Sequence, residues 1–196
     1  MRLTSSTILS LLLLPSALAA PLDSRKDTAP PNIYEAETQR VNYELTTLSK
    51  HLESMARSRP SDRTNLAGLI TSQSARIVSV SREGAQTMRT APPPTFIQEN
   101  ELLNPIARLA FQTREIERQW IAIRDIVFAM NGQQKVIQIL KDSNQAAAEF
   151  SYAMNSKMTG ISKEVGKVYA DAVDGMVKNV IRAYERPKGG NPVGWF

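Results

Sequence analysis

Asn104 to Gly132 reads NPIARLAFQTREIERQWIAIRDIVFAMNG. Apolar side chains recur at Ile106, Leu109, Ile116, Trp120, Ile123, Val127 and Met130, with Thr113 at the one polar step. Steps of three and four residues set all of them on one stripe of an α-helix. The opposite face carries Arg108, Arg114, Glu115, Glu117, Arg118 and Arg124, the charges of a solvated side. Asn104-Pro105 predicts an N-cap with proline at the first helical position, and Asn131-Gly132 predicts a left-handed stop. A rod of about 40 Å that is apolar along one side cannot stand alone in water. It requires partner helices.

The flanking sequence supplies them. Tyr34 to Arg59 places Tyr34, Val41, Leu45, Leu48, Leu52 and Met55 in the rhythm of a bundle seam, and Pro60 ends it. Ser61 or Asp62 is positioned to cap a second helix reaching about Met88, with Leu66, Ile70, Ile77 and Val80 inward. Gln73 and Gly84 weaken its seam, the mark of a loosely packed element or of one bordering a cavity. Pro92-Pro93-Pro94 forms a stiff extended connector. Thr95 with Gln98 reads as a capping box that opens a short lead-in helix bearing Phe96, Leu102 and Leu103. Whether that lead-in runs through Pro105 into the long helix is open. Beyond it, Gln133 to about Lys157 carries Val136, Leu140, Ala147, Phe150 and Met154 in register, and Gly160 breaks the run. A final helix, with Ser162 as its cap, carries Val165, Val168, Ala172, Met176, Val180 and Tyr184 up to Pro187. The fold class is all-α: a bundle of about five amphipathic helices with no sheet and no internal repeat.

The N-terminus is of another kind. Arg2, the apolar run Ile8 to Leu14 and the small-x-small pattern Ala17-Leu18-Ala19 predict a signal peptide over residues 1–19. An apolar run near ten residues is too short to cross a hydrocarbon core of about 30 Å. Residues 20–32 form a polar leader with a basic pair, Arg25-Lys26, whose processing the sequence leaves open; residues 33–186 form the bundle, and residues 187–196 a flexible tail. Cleavage after Ala19 takes away Arg2 and lowers the formal net charge of +5 by one. The remaining chain is long enough to bury roughly 70% of its unfolded surface. It has no cysteine, so its core alone must hold it outside the cell. Secretion is therefore the expected localisation, without a transmembrane segment.

Catalytic chemistry has little to work with. His51 is the only histidine and falls one position off the first seam, at a surface or boundary place. A zinc site generally draws on several cysteines or histidines, and a catalytic triad would need this one imidazole without a nucleophile elbow to partner it. Glu115 and Glu117 point different ways on their helix, and Asp171 with Asp174 is a single carboxylate pair. No phosphate-binding glycine loop and no basic cluster interleaved with aromatics occurs. The expectation is a protein without enzyme activity, cofactor, metal or nucleic-acid partner.

The inward stripes remain. Met130, Met154, Met158 and Met176 sit in or beside them and fill irregular apolar space adaptably. Ala146-Ala147-Ala148, Ala170, Ala172 and Gly175 leave room between the last two helices, or let them approach closely. Such stripes make either an ordinary core or the wall of a ligand cavity.

The order of these features resembles the fungal hydrophobic surface-binding protein A and cell-wall galactomannoprotein family. A signal peptide precedes a cysteine-free helical domain of about this length, and the likeness runs from Tyr34 to Tyr184. It is closest from Leu103 onward, where the helix ending at Asn131-Gly132 leads to VIQILKDSNQAAAEF, a break at Lys157-Met158 and a last helix closing with VIRAY. The resemblance implies a fungal extracellular protein that coats hydrophobic surfaces or holds a fatty acid between its helices. It supplies no short motif whose residues carry over. Wall-attached relatives end in a Ser/Thr-rich stalk or anchor, whereas this sequence ends in RPKGGNPVGWF, so a freely secreted form, at most wall-associated without a covalent anchor, is expected.

Two binding mechanisms use the same stripes. In one, the bundle encloses an acyl chain along Leu109, Ile116, Trp120, Ile123, Val127, Leu140, Phe150, Met154 and Val168, with a lysine or arginine near a helix end meeting the carboxylate. In the other, the helices open and lay their apolar faces on a hydrophobic surface. A different class is a secreted effector that acts through protein–protein contact, with a dry core and the aromatic tail Trp195-Phe196 as a contact.

Overall fold

The structure, a computed structural model, describes residues 32–186. The expected signal peptide, the leader up to residue 31 and the tail from residue 187 lie outside the described residues. The helices are α1 (Ile33–Arg57), α2 (Arg63–Thr90), α3 (Phe96–Ala122), α4 (Arg124–Ala129), α5 (Gln133–Asn155) and α6 (Gly160–Glu185), with a 3₁₀ turn at Pro60–Asp62. Among the described residues there is no strand, in keeping with the all-α expectation.

Local chemistry sets the helix ends. Asn32 caps α1, its Oδ1 accepting from the Glu35 amide. The Thr95–Gln98 capping box forms in full: the Thr95 hydroxyl accepts from the Gln98 amide while the Gln98 side chain accepts from the Thr95 amide. This box starts α3, so the expected N-cap at Asn104 is overturned and the lead-in and long helices are one element. Pro105 costs the helix one amide donor. The helix nevertheless continues through it, with Leu102 and Ile106 buried on either side, and Asn42 on α1 donates to the Pro105 carbonyl. The rod is irregular at Ile123, where α4 takes over, yet the Val127 amide still donates to the Ile123 carbonyl. Its stop is as expected. Asn131 takes the left-handed conformation at φ 55°, and the Gly132 amide reaches back to the Val127 carbonyl. Thr159, not Ser162, precedes α6; Ser162 is buried inside the helix.

Five long helices form a closed ring. α1 packs on α2 and α3, α5 on α2 and α6, and α6 on α3, giving the order α1–α2–α5–α6–α3. Bonds from Asn32 to Gln98 and Asn42 to Pro105 make α1 and α3 parallel, and those joining Thr159 to Glu99 and Tyr184 to Trp120 make α3 and α6 parallel. Arg40–Glu83 with Gln73–Glu44, and Asn144–Asp174 with Asn155 against Gly166, make α1/α2 and α5/α6 antiparallel. Helices packed about 9–10 Å apart in a ring of five stand about 8 Å from its axis, farther than in a ring of four. Large side chains must fill that centre, or it stays open.

The core accordingly divides. One cluster includes Leu48, Leu52, Ile77, Ile116, Trp120, Val127, Leu140 and Tyr184; the other includes Tyr34, Val41, Met88, Leu102, Ile106, Phe150 and Met154. Gln73 and Gly84, the expected weak points of α2, have separate causes. Gln73 donates to both the backbone carbonyl and the carboxylate of buried Glu44, which Arg76 also engages at 2.7 Å. Gly84 makes room for the Phe150 ring: a Cβ there would lie 2.8 Å from Phe150 Cε2.

Candidate ligand-binding site

Between the two core clusters lies a cavity of about 110 Å³ that all five long helices line. α1 contributes Val41, Leu45 and Leu48, and α2 contributes Ser74, Ile77 and Ser81. α3 adds Leu109, Thr113, Ile116 and Trp120; α5 adds Ile139, Leu140, Ser143, Ala147, Phe150 and Ser151; α6 adds Val173 and Val177. The space exists because seam positions at this level hold small side chains. Ser74 and Thr113 donate their hydroxyls to the Ile70 and Leu109 carbonyls of their own helices, so both donors are satisfied without a ligand. The wall is thus apolar with a few hydroxyls, and no charged side chain reaches it.

Of the nine residues expected to meet an acyl chain, the structure brings Leu109, Ile116, Trp120, Leu140 and Phe150 to this cavity. Ile123 and Val127 are buried farther along the same cluster, and Met154 in the other, so these three pack as core away from the opening. Val168 is misplaced: it is 50% exposed on the outer face of α6. Gly166 explains the shift. It lies against Asn155 and Met158, so closely that a Cβ would collide with Asn155 Oδ1, and this turns the 162/166/169/173 line inward and Val168 outward. Ser74, Ser81, Ser143 and Ser151 line the cavity but were not among the expected residues. Their signal was present as hydroxyl residues at seam spacing, Ser143 falling between Leu140 and Ala147.

One end of the cavity is closed by aromatic packing. Trp120 meets Tyr184 edge to face at 6.2 Å, and the Tyr184 hydroxyl donates to the Trp120 carbonyl at 2.8 Å. Burial pushes the Tyr184 phenol well above its ordinary range. Arg124 covers Phe128 and donates to the Ala183 and Arg186 carbonyls, and Gln133 donates to the Tyr184 carbonyl at 2.5 Å. These bonds fasten the C-terminal end of α6. Its middle is looser: no residue from 167 to 179 is fully buried.

Beside that middle, α5 and α6 leave a second space, a groove of about 700 Å³. Ala148, Tyr152, Asn155, Lys163, Lys167, Ala170 and Asp174 are among its walls. It shares Ala147, Ser151 and Val173 with the axial cavity, so the two adjoin across small side chains. At the groove's far end, Lys178 and Asn144 hold the Asp174 carboxyl below the usual carboxylate range. Among the described residues no group of three His, Cys, Asp or Glu could hold a metal, and no helix is long and apolar enough to cross a membrane.

No family profile and no curated protein matches the chain. Solved structures do match in fold. Ligand-binding domain 1 of the Penicillium marneffei MP1 protein, complexed with arachidonic acids, is 15% identical with a TM-score of 0.72, covering 79% of this chain and 98% of its own. Ligand-binding domain 2 of the same protein, complexed with multiple arachidonic acids, is 15% identical at 0.72, covering 83% and 100%. AfMp4p in complex with palmitic acid is 11% identical at 0.72, covering 78% and 97%. At such identities the likeness is one of fold.

Proposed function

We propose that this chain is a secreted, non-enzymatic lipid-binding protein that takes the acyl tail of a fatty-acid-like ligand along the axis of its five-helix ring. The observation that carries the reading is the apolar cavity between the two core clusters, bounded by every long helix of the ring. Similarity in fold to domains solved with arachidonic and palmitic acid supports it, as does kinship with fungal wall mannoproteins, which we infer from the same likeness. At about 110 Å³ the cavity is smaller than the roughly 300–1,000 Å³ of most ligand sites. A long tail therefore needs the adjoining groove, or an outward shift of the loosely packed middle of α6. Each methylene removed from water contributes about 0.8 kcal/mol before ordering costs, so a long chain suffices for useful affinity.

The test is native mass spectrometry of the delipidated chain with palmitic and arachidonic acids. The expected result is a discrete adduct of the acid's mass, with slowed amide exchange in α6. Adsorption to hydrophobic beads without any adduct would overturn enclosure in favour of surface coating.

A further inference from the structure

The hydroxyls that line the axial cavity fall into two groups. Those of Ser74 and Thr113 are spent on carbonyls of their own helices. Those of Ser81, Ser143 and Ser151 have no hydrogen-bond partner among the described residues. Ser81 is the most enclosed of the three, only 3% exposed. Among the described residues, the unpartnered side-chain atoms sealed from all space are Arg63 Nε, Gln119 Oε1 and Asn155 Oδ1. The Ser81 oxygen is not one of them, so its small remaining exposure is to the cavity that Ser81 lines.

The Arg82–Glu149 pair at 3.7 Å and the packing of Gly84 against Phe150 set α2 beside α5, with Ser81 near the level of Ala147. Ser143 and Ser151 lie four residues to either side of Ala147 on the same face of α5, about 6 Å along the helix in each direction. Three free hydroxyls thus mark the wall made by α2 and α5. Across the axis α3 presents Leu109, Ile116 and Trp120, with the Thr113 hydroxyl already satisfied. A plain methylene chain laid along the hydroxyl wall strips water from Ser81 and returns no bond, whereas an oxygen on the chain restores one.

We propose that the axial cavity selects acyl chains that carry a hydroxyl along their length, and that Ser81 determines this specificity. The chain hydroxyl accepts from Ser81 and donates to Ser143 or Ser151, or the reverse, since each group can do both. The ligand class is then mid-chain hydroxy fatty acids in preference to their saturated, unsubstituted counterparts. This inference rests on the axial-cavity reading above and names the ligand that the cavity prefers.

The experiment compares stearic acid with 10-hydroxystearic and 12-hydroxystearic acids on the full chain, by competition against a fluorescent fatty acid, and repeats the comparison on Ser81→Ala. A net hydrogen bond predicts that at least one hydroxy acid binds about three- to tenfold more tightly than stearic acid. On Ser81→Ala the expected result is that this preference collapses and the acids bind alike. No preference in the unmodified chain, or a preference that survives Ser81→Ala, would overturn the inference while leaving the cavity reading standing. An equal loss of all three acids on the variant would overturn it too, since Ser81 would then meet a part of the ligand they share. Failure of the unmodified chain to bind any of the acids would instead overturn the cavity reading, and this inference with it.

Discussion

Filling the axial cavity from Ser143 separates empty binding space from ordinary core. Ser143 faces the cavity between Leu140 and Ala147 on α5. Ser143→Leu replaces one hydroxyl oxygen with three carbons directed into that space. At about 24 cal/mol per Å³ of cavity, filling all 110 Å³ is worth about 2.6 kcal/mol. One leucine occupies part of it, so about 1–2 kcal/mol of added stability is expected, a rise of about 2–8 °C in melting temperature for a chain of this size. The same carbons displace two or three methylenes of a bound tail, about 1.6–2.4 kcal/mol, or about 15- to 60-fold in affinity for palmitic acid. Thermal and urea unfolding of the delipidated protein, with a palmitic acid titration, read both numbers. Opposite signs are the signature: a sturdier protein that binds less. Loss of stability would mean the position is already packed, since overpacking costs about 1–3 kcal/mol. Gained stability with unchanged affinity would place the ligand elsewhere.

Tyr184→Phe removes the hydrogen bond to the Trp120 carbonyl but keeps the edge-to-face ring contact, so about 1 kcal/mol is expected by urea unfolding at neutral pH. Because burial raises this phenol above its ordinary 10.0, its contribution is whole below pH 10 and lost as the pH climbs beyond it; the variant's stability should fall less steeply in alkali. Val168→Ser, at an exposed position on α6, should change stability by less than about 0.5 kcal/mol and leave palmitic acid binding intact; a loss above 1 kcal/mol would refute the outward placement.

Periodicity by itself determined the helices and most of their inward faces, because burial of an apolar stripe depends on spacing along one chain. Tyr34, Val41, Leu48, Leu52 and Met55 on α1 and Ile106, Ile116, Trp120, Ile123 and Val127 along α3 and α4 are buried as their spacing requires. The stop at Asn131-Gly132 was likewise readable, since a left-handed residue suits asparagine or glycine whatever the surroundings. Where two local signals competed, at Thr95 and Asn104, the capping box won because it satisfies two amide donors at once. What the tertiary structure alone decided is the ring order and therefore the cavity. A stripe specifies that a residue faces inward, not whether another side chain meets it there. Leu140 and Val127 read alike in sequence, yet one borders open space and the other is packed core. Val168 could not be placed from spacing either, because its orientation depends on how closely Gly166 lets α6 approach Asn155 on the neighbouring α5.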